Sequence, residues 1–313
     1  MARRKGTGWI AGVICGLLAN SALAVGVPGH SGGCGAELAR QIPTRPAAAP
    51  AGSAVARQVM ALSGEARDEA VAAELLAGNV PGFLRRLKPV SFSGAMPDGK
   101  DVTVTICVAP DYLAVGSDRD SLRVPMGLPA AAAIADHFGF LLPTTRMVDA
   151  IYAQAPVRLR PSPMPPTSQM RSTDYLLRHN RTVDAQRAAA GPRLGVLTAG
   201  QKKDLVLSNR LKSAPGRVAI YGWHRGNGAP IQPLSTVHGA FYADYSHGVR
   251  LVSATAFVNG APQPLTEVLQ DPVLAPIVSS EGPIAQPRRL QASLHKRWAV
   301  PPSALLDFAA ARP

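Results

Sequence analysis

The side chains with the greatest potential for chemistry concentrate between Lys202 and Arg250. This stretch contains three of the chain's seven histidines. It is expected to consist of strand ends and loops, where binding and catalytic residues are usually found. The predicted catalytic residues are His224, Asp244, Ser246 and His247, and the predicted substrate contacts are Lys202, Lys203, Tyr221 and Trp223.

One chemistry compatible with this stretch is zinc-dependent hydrolysis. His238, Asp244 and His247 offer two imidazoles and a carboxylate, which can bind zinc and leave a fourth position for an activated water. Their order resembles the His, Asp, His order of D-Ala-D-Ala peptidases that cut bacterial cell walls. Those enzymes have one more residue between the first two ligands, and their Glu-Pro-Trp-His segment does not follow here.

A second chemistry needs no metal. Ser246 could act as a nucleophile if His224 or His238 reached it from another strand. The Gly-x-Ser-x-Gly pattern of a nucleophile elbow is absent, because Asp244 stands two residues before Ser246. Lys202 and the lysine after it would bind an anionic substrate or stabilise an oxyanion.

A third interpretation of the same stretch is structural. Histidine and tyrosine on strands often form buried hydrogen bonds, and Trp223 is a typical core residue. Under this interpretation the protein is a non-catalytic module of the cell envelope. The sequence therefore leaves a zinc hydrolase, a Ser/His hydrolase and a binding module open.

The N-terminus predicts export from a bacterial cell. Arg3, Arg4 and Lys5 precede an apolar run that extends from Trp9 to about residue 19, and Ser-Ala-Leu-Ala ends at Ala24. This is the pattern of a cleavable secretory signal covering residues 1–24. Since no later apolar run approaches the roughly 20 residues that a membrane helix needs, we expect a secreted or periplasmic protein without a transmembrane span.

The positive charge of the chain is unevenly distributed. The formal net charge is +13, and residues 156–230 alone contain thirteen Lys or Arg against three Asp. Such a field attracts polyanions. Outside the cytoplasm we expect an anionic envelope or extracellular polymer as partner rather than nucleic acid, unless the charge reflects only a generally basic protein.

Composition and pattern predict one domain after a linker. Residues 25–52 are rich in Gly, Pro and Ala and predict a flexible or extended linker. Residues 53–313 show helical spacing first and alternating strand patterns later, which predicts a single α+β domain with a helical N-terminal part and a mainly antiparallel β part. Cys34 and Cys107 form either one disulfide or two free thiols, the second one buried.

Several segments together resemble a family of secreted bacterial proteins to which no activity has been assigned. They read Gly-Asn-Val-Pro-Gly-Phe-Leu-Arg, Pro-Asp-Tyr-Leu-Ala-Val-Gly-Ser-Asp, Leu-Pro-Thr, Lys-Lys-Asp, Tyr-Gly-Trp-His and Asp-Tyr-Ser-His-Gly. The resemblance covers most of residues 75–285. It implies export from a bacterium and a single domain, and it assigns no catalytic residue.

Overall fold

The computed structural model describes residues 33–191 and 193–295, all of which belong to one compact unit. The predicted signal peptide, residues 1–24, lies outside the described residues. The helices are α1 Gly52–Gln58, α2 Gly64–Leu76, α3 Leu128–His137, α4 Thr145–Gln154, α5 Thr173–Ala189, α6 Arg210–Ser213, α7 Leu265–Val268, α8 Ala275–Val278 and α9 Pro287–Leu294. The described part of the chain contains no helix long and apolar enough to cross a bilayer.

The strands form two larger sheets and two small pairs. They are β1 Lys88–Ala95, β2 Asp101–Val108, β3 Ala114–Gly116, β4 Ser121–Arg123, β5 Phe140–Leu141, β6 Val157–Arg158, β7 Thr198–Ala199, β8 Lys203–Leu205, β9 Ile220–His224, β10 Pro230–Ser235, β11 His247–Gly248, β12 Val252–Val258 and β13 Ala261–Pro264. The fold is α+β, as predicted. Helices and strands alternate more than the pattern indicated, since β1 to β4 precede α3.

The first sheet carries much of the hydrophobic core. Its order is β1-β2-β12-β13, with every pairing antiparallel and with β5 attached to β12. The central strand β2 is apolar at Val104, Ile106 and Val108, all of which are fully buried. These three side chains alternate along the strand and therefore line one face of the sheet, which buries them in the core.

The second sheet positions the candidate stretch. Its order is β10-β9-β8-β11, with β8 antiparallel to β9 and parallel to β11. Lys203 pairs with Gly222 on one side and with His247 on the other. Three segments that are separated along the chain are therefore neighbours in space.

The described part of the predicted linker, residues 33–52, is packed on the domain. Cys34 forms a disulfide with Cys107 of β2 across 5.4 Å between Cα atoms, and Ile42 is buried. The guanidinium of Arg45 donates to Oδ1 of Asn79 at 3.0 Å. The disulfide and the guanidinium contacts therefore hold the irregular backbone of residues 33–52, the described part of the predicted flexible or extended linker, against the core.

Candidate functional site

Lys202 immediately precedes β8 and is buried. Its Nζ donates to the carbonyl oxygen of Tyr245 at 2.5 Å and lies 3.1 Å from Nδ1 of His179 on α5. Burial, followed by the charge of Arg123, lowers the pKa of Lys202 to about 7. Lys202 is therefore a buried hydrogen-bond donor inside the domain. Its predicted role as a substrate contact is not served by an exposed side chain in this structure.

Aromatic rings enclose this lysine, and we call the group the Lys202 cluster. Its members are Lys202, Tyr175, His179, Trp223 and Tyr245. The ring of His179 lies 4.9 Å from that of Tyr245, and burial, then Lys202, lowers the pKa of His179 to about 2. Among the described residues, neither Nε2 of His179 nor Nε1 of Trp223 has a hydrogen-bond partner, although both atoms are buried.

Beside it lies a second group, which we call the Asp244 cluster. Its members are Lys203, His238, Tyr242, Asp244, Ser246 and His247. Oδ1 of Asp244 accepts hydrogen bonds from the backbone N–H and the hydroxyl of Ser246, at 2.8 and 2.5 Å. Oδ2 accepts from the hydroxyl of Tyr242 at 3.2 Å and lies 4.0 Å from Nζ of Lys203.

The charge states of the Asp244 cluster follow from burial and neighbours. Burial opposes the ionisation of Asp244, but His247, Lys203 and the hydrogen bonds from Ser246 outweigh it and hold the pKa of Asp244 below its usual value. Burial lowers the pKa of His247 to about 4. At neutral pH the cluster therefore contains a carboxylate at Asp244 and a neutral imidazole at His247.

Tyr242 is the centre of this cluster. Its ring stacks on that of His238 at 4.0 Å and meets the ring of His247 edge-on at 5.7 Å. His247 is fully buried, and neither of its ring nitrogens has a hydrogen-bond partner among the described residues. Nζ of Lys203 also lies 5.2 Å from the centre of the Trp223 ring, so the two clusters are contiguous.

The predicted zinc ligands are near one another but are not arranged as a ligand set. Within residues 33–191 and 193–295, no three His, Cys, Asp or Glu side chains are grouped to hold a metal ion. Both carboxylate oxygens of Asp244 accept hydrogen bonds from the protein, and His238 is stacked on Tyr242. The assignment of His238, Asp244 and His247 to a metal centre therefore gains no support from this geometry.

The predicted serine–histidine pair is not formed either. The hydroxyl of Ser246 donates to Asp244 rather than to an imidazole. His224, one of its two predicted bases, binds the carboxylate of Asp149 instead. Ser246 is thus held as a hydrogen-bond donor to Asp244.

His224 belongs to a third group, built around Asp149 of α4. Oδ1 of Asp149 lies 2.8 Å from Nε2 of His224 and accepts from the hydroxyl of Tyr221 at 2.9 Å. The ring of Tyr152 stacks on His224 at 4.6 Å. The Asp149 side chain is 48% exposed, whereas that of His224 is 2% exposed, so this group presents a carboxylate to solvent.

An unusual backbone conformation lets Tyr221 and His224 reach the same carboxylate. Residues three apart on a regular strand point to opposite faces. Trp223 has a φ of 59°, in the left-handed region that non-glycine residues seldom adopt, and Gly222 before it has a φ of 105°. The alternation is broken at this point, so Trp223 enters the Lys202 cluster while Tyr221 and His224 both reach Asp149.

Sequence reasoning missed Asp149 and His179, which the helices contribute. His179 lies on the buried face of α5 with Tyr175, Leu176 and Val183, so it is a polar residue at an apolar position. That spacing was the available signal for His179. Asp149 is half exposed on α4, and nothing in its local sequence marks it.

Comparison of the chain with known proteins supplies no evidence about its function. No family model, no curated protein and no solved structure matches the chain. The function is therefore inferred from the residues and contacts described above.

Proposed function

We propose that the protein is an exported bacterial hydrolase that acts on a cell-envelope or extracellular polymer of the peptidoglycan type. We assign its catalysis to the Asp244 cluster. The observation that carries the proposal is the arrangement around Asp244, whose ionised carboxylate is held by Ser246 and Tyr242 and faces the ammonium of Lys203.

These groups can perform hydrolysis by acid–base chemistry. Asp244 would accept a proton from the water whose oxygen attacks the scissile carbon, and the leaving group would take a proton from Tyr242 as its bond to that carbon breaks. Burial, followed by the charge of Asp244, raises the pKa of Tyr242 to about 12, so the phenol keeps its proton at neutral pH and can donate it. Lys203, whose side chain is 16% exposed, would stabilise the negative charge that develops on the substrate oxygen.

The unpartnered nitrogens of His247 also support a binding role for this region. A buried polar group without a hydrogen bond costs about 1–3 kcal/mol. Within the described ranges, His247 has two such nitrogens, and the contiguous Lys202 cluster adds one each on His179 and Trp223. Burial of this many unsatisfied groups in one region is consistent with a site that receives water or a substrate group.

Two further observations support an extracytoplasmic setting. The disulfide between Cys34 and Cys107 is typical of proteins that fold in an oxidising compartment. The signal pattern of residues 1–24 agrees with export.

The test is digestion of purified peptidoglycan and of an acidic polysaccharide by the chain that begins at residue 25. We expect soluble fragments from the wild type and losses of at least about a hundredfold in Asp244→Asn and Tyr242→Phe. Asp98→Asn changes an exposed aspartate and is the matched control. Circular dichroism and melting curves of each variant separate lost chemistry from lost folding.

Two measurements distinguish acid–base catalysis by the Asp244 cluster from zinc-dependent hydrolysis. Full activity in folded Asp244→Asn and Tyr242→Phe would remove the Asp244 cluster from catalysis. Elemental analysis of the active protein is the second measurement. One zinc per chain, together with loss of activity on chelation, would restore His238, Asp244 and His247 as ligands.

A non-catalytic module that binds anionic polymer is the second candidate. Of the three carboxylates in residues 156–230, Asp174 pairs with Arg178, Asp184 pairs with Arg123, and Asp204 is buried. Much of the positive charge in this region is therefore unopposed. Binding of polymer without any release of fragments would favour this function.

A further inference from the structure

We propose that a groove beside the β9–β10 hairpin binds an oxyanion, a carboxylate or a phosphate group, of an anionic polysaccharide. Arg160 and Arg225 would hold that group from the two sides. The inference names a binding site for the polymer of the proposed function, but it does not require hydrolysis at Asp244.

The groove lies between the segment that follows β6 and the turn that joins β9 to β10. Its volume is about 500 Å³, and it is lined by Arg160, Pro161, Arg225, Gly226, Asn227 and Ile231. A Cβ atom placed on Gly226 would lie 3.9 Å from Nε of Arg160. The guanidinium of Arg160 thus reaches across to the hairpin that carries Arg225.

The backbone is anchored on both sides of the groove. On one side, the carbonyl of Arg160 accepts from Nε2 of Gln186 at 3.1 Å. On the other side, the N–H of Arg225 donates to the carbonyl of Ala229 at 2.9 Å. The carbonyl of Arg225 accepts from the hydroxyl of Tyr152 at 2.7 Å. Because these bonds hold both arginines in place, binding an anion requires little additional ordering of the backbone.

The positive charge in the groove is not neutralised internally. Neither Arg160 nor Arg225 forms an ion pair with any residue of the described ranges, and both are exposed. Other arginines differ, since Arg123 is bound to Asp111 and Arg178 to Asp174.

The chemistry of the lining indicates the ligand. Planar guanidinium groups bind carboxylate and phosphate through two parallel hydrogen bonds, and two of them lining one groove favour an oxyanion there. Pro161 and Ile231 add apolar surface, and Asn227 adds a carboxamide, which suits the uncharged part of a sugar unit. An anionic polysaccharide supplies both features.

The experiment measures binding by titration calorimetry with the chain that begins at residue 25. The probes are oligogalacturonate for carboxylate, phosphorylated dextran for phosphate and unmodified dextran as a neutral polysaccharide. We expect one or both anionic probes to bind and dextran not to bind, which also identifies the preferred oxyanion. The Arg160→Ala/Arg225→Ala double variant should weaken binding at least about tenfold.

A matched control removes the same charge elsewhere. Arg119 and Arg181 are exposed and form no ion pair within the described ranges, so Arg119→Ala/Arg181→Ala lowers the net charge equally. We expect this control to change the affinity less than twofold. Equal weakening by both double variants, or no binding of either anionic probe, would overturn the inference.

The charge-preserving variant Arg160→Lys/Arg225→Lys adds a second criterion. Lysine keeps the charge but loses the planar pair of donors, so we expect an affinity between those of the wild type and the alanine variant. Asp98→Asn, which changes an exposed aspartate outside both proposed sites, should bind as the wild type does. Binding without hydrolysis would therefore overturn only the catalytic proposal, whereas hydrolysis without binding in the groove would overturn only this inference.

Discussion

Nε2 of His224 lies 2.8 Å from Oδ1 of Asp149, and this contact joins β9 to α4 across 75 residues of sequence. The carboxylate also accepts from the hydroxyl of Tyr221. Because the imidazole is buried and the carboxylate is half exposed, the histidine orients the aspartate rather than the reverse. In this structure the predicted catalytic residue His224 thus orients a carboxylate on helix α4.

Asp149→Ala should destabilise the protein. It leaves Nε2 of His224 and the hydroxyl of Tyr221 without their acceptor, and each such loss costs about 1–3 kcal/mol when the group is buried. Since Tyr221 is only partly buried, we expect a total near the lower end of that range. Chemical denaturation measures the change, and Asp98→Ala on the surface is the control that should leave the unfolding midpoint unchanged. An unaltered midpoint in Asp149→Ala would contradict the assigned role.

Arg123→Met should be among the most damaging single substitutions. The guanidinium donates to Oδ2 of the buried Asp111 at 2.7 Å and also pairs with Asp184. Burial opposes ionisation of Asp111, but Arg123 outweighs it and holds the pKa of that carboxyl low. Removal of the arginine leaves a buried charge with weaker partners, and we expect a loss of about 3 kcal/mol.

The control for Arg123→Met is Arg178→Met. Arg178 forms a pair with Asp174 on the exposed face of α5, one turn apart, and such pairs contribute little to stability. Melting curves should separate the two variants by several degrees. Similar melting temperatures would show that the buried pair is not a stabilising element.

Asp68→Asn should change the pH dependence of stability. Burial, only partly offset by the hydrogen bond from the N–H of Gly127, raises the pKa of Asp68 to about 7. The folded state therefore keeps this proton between about pH 4 and 7 while the unfolded state releases it, so the wild type loses stability as pH rises through that window. Asparagine removes the effect and still accepts from Gly127.

The measurement is the difference in unfolding free energy between Asp68→Asn and the wild type at several pH values. We expect the difference to shift in favour of the variant from pH 5 to pH 8, by at most about 1.4 kcal/mol per pH unit. A difference that stays constant over this range would show that Asp68 ionises normally in the folded protein.

Cys34→Ser should lower stability by about 2–4 kcal/mol, because it opens a covalent loop between residues 73 apart. Reduction of the wild type should have the same effect, and reduction of the variant should have none. The comparison of melting curves with and without a reductant is the measurement. Equal melting temperatures in all four samples would mean that the disulfide does not stabilise the domain.

Part of this protein could be predicted from local pattern alone. Helical spacing predicts the elements that became α2 and α5, and the alternation of Val102, Val104 and Ile106 predicts β2. The concentration of reactive side chains after Lys202 also indicated where the candidate site would lie. These features depend on residues close together in sequence, and their periodicity is visible without the fold.

Other features depended on which distant elements meet. Asp149 reaches His224 from α4, and His179 reaches Lys202 from α5, across 75 and 23 residues. Periodicity shows which side chains share a face of a helix, but it does not show which strand packs against that face. The partners of the candidate residues were therefore decided by tertiary structure.

Tertiary packing also explains why Lys202 and Lys203, which are adjacent in sequence, have different environments. The sequence alone determined that Lys202 and Lys203 are adjacent cations in a basic region. Only the tertiary structure decided that the first is buried against Tyr245 while the second faces Asp244. Burial is set by the elements packed around a residue, and burial determines whether a lysine carries its charge at neutral pH.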